Sequence, residues 1–328
     1  MMNLTTSYLG LKLRNPLIVS SSTLTSTVDG VVKCEKAGAG AVVLKSIFEE
    51  QILGDIKKEE VLNDELYNMN PEMQQYLHTY VRGNEIEIYT KLIKESKAAV
   101  SIPIIASINC TDKGEWTSIA RKFQDAGADA LELNISISPF DIDLHPKDIE
   151  QEYFDILAQV KKCISIPVAV KIGDHFTNIC NMVYQLARHG ADAVVLFNRF
   201  YNADIDVNEM KAVPGNALSV QEENSCTLRY ISLIAGQQVP CELSASTGIY
   251  TAEDAIKQIL AGATSVQICS TLYHNGLDHI NLMLNEMQAW MEKHHFDSIA
   301  AFRGKANKKE DIKVLERLQY LRRNQDFN

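Results

Sequence analysis

One pattern occurs four times along this chain and leaves few ways to fold it. A proline opens a short apolar run: Asn15-Pro16 before LIVSS, Ile102-Pro103 before IIASIN, Ile166-Pro167 before VAVKIG, and Val239-Pro240 before CELSAS. Proline is accommodated at a strand's first residue, where its missing N–H costs no ladder bond, and an unbroken apolar run suits a strand buried on both faces. A second signature follows each run: Ala37-Gly38-Ala39-Gly40 before AVVLKS, Ala126-Gly127-Ala128 before DALELN, His189-Gly190-Ala191 before DAVVLFN, and Ala261-Gly262-Ala263 before TSVQICS. Each marks a helix end, a glycine turn and another buried strand. From proline to glycine the intervals are 22, 24, 23 and 22 residues, room for one amphipathic helix each time.

Apolar residues at three- and four-residue intervals predict helices over Trp116 to Asp125, Asn178 to Arg188 and Thr251 to Leu260. Thr251-Ala252-Glu253-Asp254 has the form of an N-terminal cap followed by acidic residues in the first turn. Four strand–helix–strand quarters make eight strands, as a parallel (β/α)8 barrel requires. The competing architecture is a doubly wound open sheet, for which the chain offers neither GxGxxG nor GxxxxGK[ST]. The expected organisation is a single-domain barrel over residues 1–304 and a helical tail over 305–328, where Ile312, Leu315, Leu318 and Leu321 are set among charges. Two long connections are expected, Ile47 to about Ser101 after the second strand and Arg199 to Gln238 after the sixth. Both start at C-terminal strand ends, where barrel enzymes keep their chemistry, so they are candidate lids or pocket walls.

Composition removes several function classes. The 328 residues carry a net charge of −10, which opposes sequence-independent attraction to a phosphate backbone, so no nucleic-acid partner is expected. No run of about 18 apolar residues occurs and Met1 to Tyr8 lacks the form of a signal peptide; the expectation is a cytoplasmic protein without a membrane partner. Seven cysteines, an odd number with no CxxC spacing, argue against a disulfide framework, a zinc ribbon or an iron–sulfur ligand set.

In such a barrel the residues leaving the strands converge on one mouth. In strand order they are Ser20 to Ser22, Lys45-Ser46, Ser107 and Asn109, Asn134 and Ser136, Lys171, Asn198, Ser244 and Ser246, then Cys269 to Thr271. No metal-ligand set and no pair of carboxylates is offered there, so metal and hydrolytic mechanisms fall away. Glu132 shares a strand face with Asn134 and is expected inside the lumen, more as a structural partner of Lys171 than as a base. Two lysines with amides between them suit a large anionic heterocycle; a lysine Schiff-base aldolase and a non-catalytic small-molecule binding protein are the other readings. The segments Ser246-Thr247-Gly248 and Cys269-Ser270-Thr271 fall where such barrels bind a phosphate.

These residues resemble the flavin-dependent dihydroorotate dehydrogenase family, in particular its branch lacking the catalytic cysteine. The likeness runs from Leu9 to about Gly304 and includes Asn15-Pro16, GAVVLKS ending at Lys45, ADALELNIS around Asn134, PVAVKI with Lys171, TAEDAIKQILAGATSVQ, and FDSIAAFRGK as a C-terminal helix start. The resemblance implies a homodimer with FMN across the barrel mouth and oxidation of a CH–CH bond in a small cyclic or carboxylated substrate, dihydroorotate to orotate in pyrimidine biosynthesis being the family reaction. It implies Lys45 and Lys171 at the flavin ring and ribityl chain, Ser21 and Ser107 nearby, and Thr247, Gly248, Ser270 and Thr271 at the phosphate. Asn134 and Asn198 would hydrogen-bond flavin or substrate.

The chain departs from the family in three places. The family's Asn-x-Ser-Cys-Pro-Asn stretch, whose cysteine takes a proton from substrate, is here Asn134-Ile135-Ser136-Ile137-Ser138-Pro139, so Ser136 or Ser138 becomes the candidate base, ahead of Tyr201 and His145. The NSMGLPN loop has no counterpart, the nearest stretch being Glu65 to Pro71. Thr247-Gly248 replaces a Gly-Gly turn, and Cys269 stands where the family has glycine.

Overall fold

The proline-led runs and the runs after the glycine turns all form strands, and these close on themselves. The computed structural model describes residues 2–48, 71–109, 115–137, 141–199 and 203–307. The strands are β1 (Leu17–Val19), β2 (Ala41–Val43), β3 (Ile104–Asn109), β4 (Ala130–Asn134), β5 (Val168–Ile172), β6 (Ala193–Leu196), β7 (Glu242–Ser246) and β8 (Ser265–Ile268). Each pairs in parallel with the next, and β8 pairs with β1 through Val266↔Leu17 and Ile268↔Val19, which completes the eight-stranded barrel. Helices alternate with them: α1 (Val28–Lys36), α2 (Pro71–Ala99), α3 (Glu115–Asp125), α4 (Pro146–Cys163), α5 (Ile179–Arg188), α6 (Asn224–Gly236), α7 (Ala252–Ala261) and α8 (His279–Lys293).

The two long connections are not loops throughout. Each contains the barrel's own crossover helix, α2 in the first and α6 in the second, because a parallel neighbour can be reached only by a crossover that buries an apolar face on the sheet. Ile86, Tyr89 and Ile93 supply that face in α2, and Thr227, Ile231 and Ile234 in α6. The second connection also holds an exposed antiparallel hairpin, Ala203–Asp206 with Lys211–Pro214. In FDSIAAFRGK the helical part is one turn, Ile299–Phe302, and the backbone beyond it is tied to α7 by Gly304 N–H donating to Ile259 O and Ala306 N–H to Leu260 O. The tail over 308–328 lies outside the described residues. No described helix is long and apolar enough to cross a membrane.

The repeat is carried by repeated bonds. Gly38, Gly127, Gly190 and Gly262, the four turn glycines, have φ of 101°, 96°, 99° and 118°, backbone that a side chain would strain. Glu35 Oε1 accepts from Ser101 N–H and Oγ, each at 2.7 Å, and from Ile102 N–H at 3.3 Å; Gln124 Oε1 does the same for Ser165 and Ile166. Asp129 takes Lys97 and the Ile104 N–H, and Asp192 takes Lys161 and the Val168 N–H. Each carboxylate thus neutralises a helix lysine and satisfies the first donor of a strand that proline has just left unpaired.

The lower lumen is filled from two sides. Ala41, Ala130, Ala169 and Ala193 point inward with Ile18, Val43, Ile105 and Val195, and the space left by the alanines receives Tyr8, Leu9 and Leu13 from the hairpin Thr6–Tyr8 and Leu11–Leu13. A second, larger core lies between strands and helices, including Trp116, Phe123, Tyr153 and Phe302. Beside this mostly apolar plug Ser265 Oγ donates to Ser244 Oγ at 2.9 Å, and the polar group around Lys171 lies above it.

Asp192→Ala removes the acceptor of both Lys161 and the Val168 N–H, at 2.7 Å each. Loss of a partly buried charge-assisted acceptor should cost about 1–3 kcal/mol in urea unfolding. Asp29→Ala, which breaks only the exposed pair with Lys33, should change stability by less than about 0.5 kcal/mol.

Candidate active site

The upper lumen is built from alternate residues of facing strands. Period-two alternation puts Glu132 and Asn134 of β4, Lys171 of β5 and Gln267 of β8 on the inside, and Ser20 follows β1 at the same level. Lys171 Nζ donates to Ser20 Oγ at 3.1 Å and to Gln267 Oε1 at 3.0 Å. Ser20 Oγ donates to Gln267 Oε1 at 3.1 Å, and Gln267 Nε2 donates to Glu132 Oε2 at 2.6 Å. Glu132, 1% exposed, keeps its other oxygen 4.0 Å from the Lys171 ammonium. This is the lumenal partnership with Lys171 expected of Glu132. Beneath it, burial and then the Glu132 charge push the Tyr8 phenol well above its usual range.

A row of hydroxyls runs along the β1–β3 side. Ser21 Oγ lies 3.0 Å from Ser46 Oγ and accepts from the Ser46 N–H at 2.8 Å; Ser46 Oγ lies 2.7 Å from Ser107 Oγ. Tyr89 of α2 anchors the row, its hydroxyl accepting from the Ser107 N–H and donating to the Ser107 carbonyl.

From Lys171 a cleft of about 170 Å³ crosses the mouth to the segments after β7 and β8. Ser20, Ser21 and Lys171 line one end; Ser219, Gly248 and Ser270 line the other, with Asn198 and Cys269 between. At the far end Ser219 N–H and Oγ both reach Ser270 Oγ, at 3.0 and 2.9 Å, and Gly248 N–H points to Ser219 Oγ at 3.4 Å. Gly248 has φ +74°, and a Cβ there would meet Asn224 N at 2.1 Å, so only glycine lets the chain before α6 pack on this turn. Thr247, also at positive φ (81°), ties its hydroxyl to the Phe197 carbonyl at 3.0 Å. Burial pushes the Cys269 thiol up, against the opposing pull of the Lys171 charge. Past Phe197–Arg199 a second cavity of about 270 Å³ opens, bounded by Asp174, Cys226 and the Arg199–Glu223 ion pair at 2.9 Å.

A cleft lined by a buried lysine and by backbone N–H and hydroxyl groups offers the donors that the phosphate and ring oxygens of a flavin mononucleotide would accept from. Lys171, Ser21, Thr247, Gly248 and Ser270, all expected at a cofactor, line it together with Asn198. Asn134, 9% exposed, stands behind Asn198 and accepts a hydrogen bond from its amide.

Other expected residues fall elsewhere. Ser107 is fully buried behind Ser21 and Ser46, and Thr271 is fully buried with its hydroxyl donating to the Tyr250 carbonyl at 3.1 Å, so neither side chain borders the cleft. Lys45 is half-buried past the end of β2, outside the lining. Ser136 is exposed, whereas Ile137 is half-buried against the core, its N–H held at 3.5 Å by the Tyr153 hydroxyl, which also donates to the Ile135 carbonyl. Burial pushes that phenol up to about 12. Ser138 and Tyr201 lie outside the described residues, and His145 is an exposed residue at the start of α4. Two site residues were missed from sequence. Gln267 carries a signal, since alternation along Ser265–Ile268 puts it on the lumen face; Ser219 carries none, because it sits in irregular chain before α6.

Residues 3–291 match the family model described as dihydroorotate dehydrogenase. The chain is 30% identical over 312 residues, 91% of its own length and 97% of the relative's, to the catalytic subunit of dihydroorotate dehydrogenase B (NAD(+)) of Thermoplasma acidophilum. It is 28% identical to the protein of that name from Methanocaldococcus jannaschii, covering 88% and 94%, and 26% identical to dihydroorotate dehydrogenase A (fumarate) of Lactobacillus delbrueckii, covering 82% and 87%. With the closed parallel barrel and the lysine-headed cleft at its mouth, this match across most of the chain makes the protein an enzyme of the dihydroorotate dehydrogenase family.

Proposed function

We propose that the protein is an FMN-dependent oxidoreductase that removes a hydride and a proton from adjacent carbons of a small cyclic carboxylated substrate, with dihydroorotate as the first candidate. The observation that carries this reading is the cleft itself, with Lys171 held at one end and Ser219, Gly248 and Ser270 at the other. FMN, when bound, supplies the hydride acceptor.

The chain supplies the rest. Lys171 contributes a fixed positive charge and a donor to the ring, and the Gly248–Ser270 end supplies hydrogen bonds to the phosphate. Asn198, oriented by Asn134, leaves amide groups for the ring or the substrate. Lys45, at the rim beyond β2, is assigned to flavin and substrate charge. Ile137 cannot accept a proton, so the base on the adjacent carbon is assigned to the neighbouring serines of that loop, Ser136 and Ser138. A Schiff-base lyase is disfavoured by the position of the Lys171 nitrogen, which is buried and held by donation to Ser20 and Gln267 within the lumen.

The relatives named as NAD(+) catalytic subunits suggest an electron acceptor reached through a partner subunit, and the relative named for fumarate suggests a soluble one. The same reading includes a homodimer, tested by light scattering, acting in the cytoplasm, where the six described cysteines, none of them in a disulfide, would stay reduced.

Protein purified with FMN should show the oxidised flavin spectrum and bleach on anaerobic addition of dihydroorotate. A flavin spectrum that does not bleach would move the substrate away from dihydroorotate, and a protein that retains no flavin would overturn the proposal. Lys171→Met should weaken FMN retention about tenfold or more by equilibrium dialysis, as expected for loss of a charge-assisted contact. Ser136→Ala should slow bleaching by about 10²-fold with FMN affinity unchanged if Ser136 takes the proton; an unaltered rate would leave that role to Ser138.

A further inference from the structure

We propose that Glu132 is a positioning residue for Lys171: from beneath the cleft it fixes the orientation of the Gln267 amide, and the amide in turn holds the lysine ammonium in place under the flavin. The inference rests on the FMN reading above and deepens it.

The polarity of the hydrogen bonds carries the argument. An ammonium can only donate and an ionised carboxylate can only accept, whereas an amide presents a donor on one side and an acceptor on the other. Gln267 stands between Lys171 and Glu132, so its carbonyl faces the ammonium at 3.0 Å and its NH₂ faces the carboxylate at 2.6 Å. Ser20 is oriented by the same constraint, accepting from Lys171 and passing its own proton to Gln267 Oε1. Two of the three ammonium protons are therefore fixed downward and sideways within the lumen. The remaining one is left for whatever lies in the cleft that Lys171 lines.

Were Glu132 replaced by a neutral group, the amide could turn over and present its NH₂ to the ammonium, with the loss of the bonds that Lys171 and Ser20 donate to its carbonyl. Glu132 also supplies the countercharge, 4.0 Å away, for a lysine that is 7% exposed. Its second oxygen has no hydrogen-bond partner, so all its short-range bonding goes into the Gln267 amide. Gln267 (1% exposed) and Ser20 (4%) are buried with it, which keeps water from replacing any link in the chain.

The test uses Glu132→Gln, the swap Glu132→Gln/Gln267→Glu, and two readouts. The first is FMN affinity and the position of the bound flavin's visible bands; the second is labelling of Lys171 by an amine-reactive reagent in FMN-free protein, read by peptide mass spectrometry. Glu132→Gln should weaken FMN about tenfold, displace the flavin bands, and raise Lys171 labelling severalfold. The swap restores one carboxylate and one amide in contact with the lysine, and should recover both readouts most of the way to wild type. Wild-type affinity, bands and labelling in Glu132→Gln would overturn the proposal, as would an equal loss in the single variant and the swap, which would reduce Glu132 to a packing role. Where Glu132→Gln fails to fold, Gln267→Met keeps the volume and removes the relay; the same losses are expected there, and wild-type behaviour overturns the proposal. Wild-type protein that binds no FMN would refute the functional reading alone, and the labelling of Lys171 would still decide the role of Glu132.

Discussion

A lysine ammonium inside an eight-stranded barrel must be solvated by the barrel. Lys171 meets that requirement with Ser20, just past β1, Gln267 of β8 and Glu132 of β4, so its placement depends on closure of the sheet. The lower lumen makes the arrangement possible. Four inward alanines and the Tyr8 hairpin pack it closed, and the buried polar groups above then satisfy one another. Stability and site are coupled here, because a group removed from the upper lumen leaves a buried donor or acceptor without a partner.

The mouth follows a different rule. Its segments are attached to one another and to the barrel by a few bonds, such as the two from Ser219 to Ser270 and the one from Thr247 to the Phe197 carbonyl, and by a steric demand, that Gly248 remain without a side chain against Asn224. Thr247 and Cys269, where the family pattern has glycines, leave the cleft open at this end, with the Gly248 N–H and the Ser219 and Ser270 hydroxyls lining it. At Gly248 a side chain has no room.

Much of this was legible in the chain. The prolines, the turn glycines and the proline-to-glycine intervals announce eight strands because each is a local consequence of backbone chemistry: a missing N–H, a positive φ, the length of one helix. The positive φ values at Gly38, Gly127, Gly190 and Gly262 bear this out. The two helices within the long connections were missed because the periodicity of α2 and α6 is diluted by the residues around them. Within the site, alternation placed Glu132 inside and next to Lys171. It gave no means of seeing that Gln267 is interposed between them, since strand neighbours in a closed barrel come from opposite ends of the sequence. Ser107 and Thr271 were expected at the cofactor from the family resemblance and their places at strand ends; their side chains are drawn into the hydroxyl row and to the Tyr250 carbonyl, because buried hydroxyls need partners wherever they lie.

The replacement at residue 137 can be understood from the same division. A side chain there sits half-buried against the core, with its backbone held by Tyr153, so a hydrophobe is at least as stable at this position as a thiol. The hydrogen bonds that hold Lys171 run through Ser20, Gln267 and Glu132 and do not involve residue 137, and Ser136 beside it is exposed. The Lys171 group is constrained by burial and by the directionality of its hydrogen bonds, and the departures from the family pattern at Ile137 and after β2 fall outside it.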